Sequence, residues 1–303
     1  MLETVDLEFQ GRGGVIAAGL LEGPRGMVVV DPGPASTLEA LRSALASRGK
    51  SLSDVAAILV THIHLDHSGG VGVLVRENPA VRVFVHERGA AHILDPSKLL
   101  GSAGRLYGDR MQMLWGDILP VPATSVQVLK GGEALDVAGL EVLVAYTPGH
   151  ASHHVSYFET SSGTAFVGDT GGIRVGAPLL VMPPTPPPDI DVEAWDASLA
   201  LIRAWKPRRV FITHFGGFDD PEAHLDDLQR RLHETAGFVR VLLGDESLSD
   251  EQRLAAFVDR MMGIFRAALP DEAWVQRYQL AVPAEHCWQG LARYWRKRTG
   301  PPV

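Results

Sequence analysis

Four ionisable residues fall within six positions of this chain: His62, His64, Asp66 and His67. They follow directly on Ala56-Ala57-Ile58-Leu59-Val60, an apolar run that reads as a buried strand. A loop at a strand end can turn several side chains toward one point, whereas a strand interior sends neighbours to opposite faces. Neutral imidazole and carboxylate are good ligands for zinc and its borderline-soft relatives. The same arrangement recurs at Asp31 after Val28-Val29-Val30, at His150 in Thr147-Pro148-Gly149-His150, at Asp169 in Gly168-Asp169, and at His214 after Arg209–Thr213. Five pieces of chain thus place an ionisable residue just past an apolar run. Burying so many charged groups with nothing between them is costly, so a shared metal centre is the better reading. A metal ion held there would make water a nucleophile near neutral pH, because metal binding lowers the pKa of water from 15.7 toward about 7. No Gly-x-Ser-x-Gly elbow offers a serine nucleophile instead.

The elements that must position these residues alternate between strand and helix. Leu38, Leu41 and Leu45 mark a helix over about 37–48, and a helix starts near 68–70. Further strands are expected at 81–86, 126–129, 140–145, 155–158 and 165–167, with a helix from about 192 to 205. From 88 to 123 the strand rhythm lapses and short helices intrude, which reads as an insertion. The prolines from Pro183 to Pro188 make a stiff, extended connection. Asp219-Asp220-Pro221-Glu222 opens a helical region that runs onward, with Leu225, Leu228 and Leu232 at helical spacing. In layered α/β folds, strand ends along one edge line a common crevice.

The order Asp31, His62-x-His64-x-Asp66-His67, His150, Asp169, His214 resembles the metallo-β-lactamase superfamily over roughly the first two-thirds of the chain. The resemblance implies an αββα sandwich within the α/β class. It implies a catalytic domain over 1–218, with the insertion at about 88–123, and a helical C-terminal extension over 219–303. It also implies one ion on His62, His64 and His150, a second on Asp66, His67 and His214, and Asp169 bridging the two. Asp66 would also orient the attacking hydroxide, while Asp31 and His154 would stand behind the ligands. The ions implied are two divalent cations, zinc first, with iron or manganese as alternatives. Within the superfamily the block is more similar to glyoxalase II-like and lactonase-like hydrolases than to β-lactamases with a cysteine ligand. Flavodiiron members usually carry an acidic residue where this chain has His64. A small ester, thioester or lactone is the expected substrate. The alternatives are a phosphodiesterase or nuclease of the same superfamily, and a metal-binding protein, redox or regulatory, without hydrolytic turnover.

The 303 residues are 46% hydrophobic, enough for a large cored domain. A formal net charge of −8 disfavours nucleic acid as partner and leaves a small molecule. Cys287 is the single cysteine, so no intrachain disulfide forms. Residues 1–10 carry Glu3, Asp6 and Glu8 and no apolar run, and no stretch reaches the roughly 20 apolar residues of a membrane span. A cytoplasmic location without membrane association is therefore expected, with oligomeric state open and a homodimer among the options. Of His153 and His154, adjacent on a strand, one should face away from the centre. His86, His92, His224, His233 and His286 read as ordinary histidines. Tyr107 and Trp115 either line a substrate pocket or pack, Met261, Met262 and Phe265 read as helix core, and the basic run from Arg293 to Arg298 reads as a solvated helix end or an anion contact.

Overall fold

In the computed structural model, which describes residues 2–176 and 178–299, the strands form two six-stranded sheets. Met1, Ala177 and residues 300–303 lie outside the described residues, so the two ends of the chain's expected domains are not covered. The first sheet runs, in spatial order, β1 (Leu2–Asp6), β2 (Ala17–Gly23), β3 (Gly26–Val30), β4 (Val55–Leu59), β5 (Arg82–His86) and β6 (Val126–Leu129). The second contains β7 (Ala134–Val137), β8 (Leu140–Tyr146), β9 (Val155–Glu159), β10 (Thr164–Phe166), β11 (Arg209–Ile212) and β12 (Gly216–Phe218), again in order.

Strand β3 shows why the sheets stack. Val28 and Val30 join Leu59, Tyr157, Phe166 and Phe211 between the two sheets, while Met27 and Val29 face the opposite side and pack under helices. Apolar residues at both phases of the two-residue period leave neither face fit for water. The first sheet is therefore covered by α1 (Leu38–Ala46), α2 (Leu65–Ser68), α3 (Val71–Glu77), α4 (Glu87–Leu94), α5 (Ser97–Tyr107) and α6 (Met111–Trp115). The second is covered by α7 (Val192–Ala204), α8 (Pro221–Gly244), α9 (Asp250–Ala268), α10 (Glu272–Ala281) and α11 (Ala284–Thr299). The layers run helix, sheet, sheet, helix.

Two of these helices show their own causes. Helix α7 begins where the Asp191 side chain accepts from the Ala194 N–H, and α9 begins with a reciprocal Ser249–Gln252 capping box. The extension is not set apart from the sandwich. Leu225, Leu228, Phe257, Phe265, Tyr278 and Leu291 share one hydrophobic cluster with Ala165, Val210 and Ile212 of the second sheet. The boundary at 218/219 is thus a change of element type within one core. Met261 and Phe265 belong to that core and Met262 packs against it. Fully burying one such side chain is worth about 1.5–3 kcal/mol relative to leaving it exposed, which offsets the cost of gathering ionisable groups inside. No described helix is long and apolar enough to cross a membrane.

The structure corrects the reading of several segments. Residues 2–6, which are not among the expected strands, are an edge strand in antiparallel register with β2, from Leu2 opposite Leu21 to Asp6 opposite Ala17. Strands β2, β7 and β12 are likewise additions to the expected set. The basic run near the end of α11 stays exposed, as expected of a solvated helix end, with Arg296 3.5 Å from Asp250 and Arg298 paired with Glu193.

Candidate metal centre

Strands β3 and β4 lie parallel, as do β10 and β11, so Asp31, the His62–His67 block, Asp169 and His214 all leave the same edge of the sandwich. His150 arrives on the loop after β8. His64 stands at the N-cap of α2 with extended backbone, and Asp66 and His67 lie in the helix itself, which turns the block inward. Two groups of donor atoms result: His62, His64, His150 and Asp169, and beside them Asp66, His67 and His214, the atoms of each group lying within 4.8 Å of one another.

The hydrogen bonds at the outer side of each imidazole fix its tautomer. His67 Nδ1 donates to Asp31 Oδ2 at 2.8 Å, His150 Nδ1 to the Pro184 carbonyl at 2.8 Å, and His214 Nδ1 to the Val15 carbonyl at 2.7 Å. These oxygens only accept, so in each ring, once neutral as a metal ligand must be, Nε2 is left with a lone pair directed at the centre. His62 follows by one more step. Thr61 Oγ1 donates to Asp31 Oδ2 at 2.7 Å, which leaves its lone pair to accept from His62 Nδ1 at 3.1 Å. Inside, His64 Nδ1 lies 2.9 Å from His62 Nε2 and 3.0 Å from His150 Nε2. A single proton on His64 can serve only one of these neighbours, so at least one pair of lone pairs faces the other. His67 Nε2, His214 Nε2 and Asp169 Oδ1 are buried with no hydrogen-bond partner at all. Divalent cations are the species that suit such a donor set.

Asp169 stands between the groups. Its Oδ2 is 3.4 Å from His150 Nε2 and 3.9 Å from His62 Nε2, while Oδ1 is 3.2 Å from His67 Nε2 and 3.6 Å from His214 Nε2. Asp66 Oδ2 is 3.3 Å from His214 Nε2 and 3.9 Å from His67 Nε2. Its side chain remains 26% exposed, which makes it the solvent-facing wall of its group. Among protein groups alone the charges are strongly coupled. Burial and then His67 push His62 well below the ordinary histidine range, and burial followed by His150 brings His64 down to about 4. Burial also acts against a charged His67, but Asp169, Asp31 and Asp66 together outweigh it and hold that ring well above the ordinary range.

Asp31 does not reach the donor cluster. Fully buried, it accepts from the Thr61 N–H (2.8 Å), Thr61 Oγ1 and Thr213 Oγ1 (2.8 Å) as well as from His67. His154 also stands back: its Nε2 accepts from the Thr170 N–H at 3.4 Å and its Nδ1 meets Thr147 Oγ1 at 3.0 Å, steadying the turn Gly168–Gly171. Gly168 in that turn has φ +44°, and a Cβ there would lie 2.5 Å from Thr61 Oγ1 and 2.7 Å from His154 Nε2.

The expectation that one of His153 and His154 faces away does not hold. His153 sits in a turn before β9 rather than on the strand, so the alternation rule does not apply. Its ring lies nearly parallel to His62 at 6.0 Å between centroids, with Nδ1 3.5 Å from the Ile63 N–H. His224, read as ordinary, is fully buried and bonded to the Gly171 carbonyl at 2.8 Å. Tyr107 lies near enough to Asp66 that burial and that carboxylate push its phenol up to about 12, and its ring meets Trp115 edge-on at 5.1 Å. Trp115 in turn stacks on Phe9.

Comparison with known proteins bears on this arrangement. Residues 11–214 match the sequence family described as the metallo-beta-lactamase superfamily. A metallo-beta-lactamase fold-containing protein of Sulfurisphaera tokodaii is 30% identical over 190 residues, 62% of this chain and 70% of that protein. A hydroxyacylglutathione hydrolase of a Synechococcus strain is 32% identical over 142 residues, and the match spans 47% of this chain and only 42% of that enzyme. Among solved structures, a metallo-beta-lactamase family protein from Thermus thermophilus superposes with a TM-score of 0.68 at 22% identity, covering 100% of this chain and 96% of the other.

Proposed function

The chain belongs to the metallo-beta-lactamase superfamily, and from that premise we propose that it is a binuclear metal-dependent hydrolase acting on a small ester, thioester or lactone. The observation that carries the proposal is the convergence of five imidazoles and two carboxylates into two adjoining groups that share Asp169. His62, His64 and His150 would hold one ion and Asp66, His67 and His214 the other, with an oxygen of Asp169 toward each. Zinc suits a nitrogen-rich set of this kind, and iron or manganese remain options. Ions held there would supply Lewis-acid polarisation of the scissile carbonyl and a lowered pKa for water.

The chain's own groups account for the rest. Asp66 is the partly exposed carboxylate of the centre, so its oxygens are available to accept a proton from, and orient, an attacking water. Asp31 keeps His67 in the tautomer that offers Nε2 inward, and the Val15 and Pro184 carbonyls do the same for His214 and His150. Tyr107 lies on the Asp66 side, where its phenol, kept protonated by burial and by that carboxylate, would be available to donate a hydrogen bond to a substrate oxygen. A net charge of −8 favours small substrates over polyanions.

The test is a substrate panel on zinc-loaded protein: a thioester, a lactone, an aryl ester and a generic phosphodiester, with His64→Ala run in parallel. Turnover of a carbonyl substrate that falls by at least a hundredfold in His64→Ala is the expected result. Undiminished turnover in that variant removes the assigned site, and activity on the phosphodiester alone moves the protein to the other hydrolytic class.

A further inference from the structure

Helix α8 opens the helical extension, yet its first turn reaches two of the loops that carry donors of the centre. His224 Nε2 lies 2.8 Å from the Gly171 carbonyl. That oxygen can only accept, so Nε2 carries the proton and Nδ1 does not. Gly171 closes the short turn Gly168–Gly171 on which Asp169 sits. Four residues before His224, Asp220 accepts from Arg174 Nη1 at 2.7 Å. The Arg174 backbone brackets the other loop: its N–H donates to the His214 carbonyl at 2.7 Å, and its carbonyl accepts from the Phe215 N–H at 3.1 Å. Phe218 ties the two contacts together, with the Arg174 guanidinium 4.3 Å over its ring and the His224 ring at 5.4 Å.

His224 is a poor choice for filling space. Nδ1 is buried without a partner, and an unsatisfied buried acceptor is costly; a leucine would pack there without that cost. What the imidazole provides and a leucine cannot is a donor for the Gly171 carbonyl. The companion contact on the same turn comes from α7, where Trp195 Nε1 donates to the Thr170 carbonyl at 2.8 Å. Removing the His224 donor would leave the buried Gly171 carbonyl without it and loosen the far end of the Asp169 turn, where the backbone bonds from Gly171 N–H to Val167 and from Gly172 N–H to Asp169 would remain.

We propose that the first turn of α8 is a positioning element for the donor group Asp66, His67 and His214 and for the Asp169 that both groups share, and that His224 acts in it by holding the Gly171 carbonyl. The inference rests on the metal reading above and adds to it a dependence of the second ion on the extension. His224 touches neither substrate nor ion in this scheme. It sets where Asp169 Oδ1 stands relative to His67 and His214.

Two variants separate the hydrogen bond from packing. His224→Leu removes the donor and keeps an apolar filling; His224→Gln keeps an N–H near the place of Nε2. Zinc uptake by each is measured by competition with a chromophoric chelator. Two equivalents bind to the wild type in this scheme. His224→Leu is expected to weaken the second equivalent by 10–100-fold, the range for groups behind metal ligands, and, because Asp169 also turns Oδ2 toward His150 and His62, to weaken the first by a smaller factor. His224→Gln is expected to restore the second to within threefold of wild type. Equal affinities in wild type and His224→Leu overturn the proposal, and so does an equal loss in both variants. Amide hydrogen exchange over Thr170–Gly172, at least tenfold faster in His224→Leu, gives a readout independent of the ion. Faster exchange there in a protein that takes up no zinc even as wild type defeats the metal reading while upholding the contact on the turn. Should His224→Leu not fold, imidazole nitrogen shifts of the wild type decide: a protonated Nδ1 on His224 overturns the assignment.

Discussion

Asp31→Asn changes one atom type and one charge, and the contacts around residue 31 determine its consequences. Asp31 has φ +48°, a left-handed conformation that asparagine tolerates as well as aspartate does. Its backbone therefore survives the substitution. Oδ1 accepts from the Thr61 N–H, and Oδ2 accepts from Thr61 Oγ1, Thr213 Oγ1 and His67 Nδ1. The asparagine amide has one oxygen for these two places. With its oxygen at Oδ2, the NH2 group faces the Thr61 N–H, and a buried backbone donor is left unsatisfied at a cost of about 1–3 kcal/mol. With its NH2 at Oδ2, the threonine hydroxyls can rotate to accept, but His67 must then present Nδ1 as an acceptor. Its proton moves to Nε2, the buried atom 3.2 Å from Asp169 Oδ1, which then has no lone pair to give.

The first orientation costs stability at Thr61, beside His62, while the second takes the inward lone pair from His67 and so weakens the second group of donors; neither removes a ligand. The expected loss is 10–100-fold in zinc affinity, or about 1.4–2.7 kcal/mol, with a stability loss of about 1–3 kcal/mol in the chelator-treated protein. Chelator competition measures the first and urea unfolding the second. His62 is reached through Thr61 as well, so the first ion should weaken by less than the second. An Asp31→Asn protein that binds two equivalents of zinc with wild-type affinity refutes the tautomer argument. Stability lost while affinity is retained confines Asp31 to holding the loop.

Three further outcomes are expected from the geometry. Gly149 has φ +139°, and a Cβ there would lie 2.4 Å from the Trp195 Cβ and 2.5 Å from its Cα; Gly149→Ala is expected to destabilise the fold by several kcal/mol and to displace the neighbouring His150, read as a lowered melting temperature together with weaker zinc uptake. Ions bound only by the folded chain stabilise it by mass action, about 2.7 kcal/mol at a hundred times Kd, so removing them with a chelator should lower the melting temperature by several degrees and zinc should restore it; a melting temperature indifferent to zinc contradicts the assignment. Burial, with Arg174 adding to it against the raising effects of Gly171, Asp220 and Asp227, brings His224 down to about 4 from an ordinary 6.5. Between those values the unfolded chain takes a proton that the folded one refuses, so this contribution is fully present above pH 6.5 and is lost as pH falls toward 4. His224→Gln should therefore show a shallower acid limb between pH 6.5 and 4 in urea unfolding, by up to about 1 kcal/mol per pH unit, whereas parallel wild-type and variant curves would show that His224 is not buried neutral.

How much of this was legible in the sequence depends on whether the cause is local. The run Ala56–Val60 and the block after it are contiguous, so both the buried strand and the ionisable cluster at its end can be read directly. The same is true of α1, where Leu38, Leu41 and Leu45 are all buried on one face. Strand β2 has no such signature. Ala17-Ala18-Gly19-Leu20-Leu21 lacks β-branched residues, and it is extended because β1 and β3 pair with it on either side. Gly19 lets the sheets close, since a Cβ there would come within 3.1 Å of the Phe166 ring. His224 is a case of the same kind: nothing within its helix marks it, and its partner carbonyl lies 53 residues away.

The proline segment lies between these extremes. Its composition predicts a stiff extended strap, and nothing in the sequence says what the strap does. A chain in this conformation makes no backbone ladder of its own, so its carbonyls stay free to accept bonds from elsewhere. Pro184 spends its carbonyl on His150 Nδ1, which a residue inside a paired strand could not do without breaking a ladder bond. His150 follows Gly149, whose N–Cα torsion and lack of side chain let the loop press against Trp195. The ring is therefore fixed from both sides: the glycine lets it enter the site, and the proline strap sets which nitrogen faces inward. A residue with its own N–H at 184 would leave that acceptor intact and add a donor to a fully buried stretch, so the proline is suited to the position because it brings an acceptor and no donor.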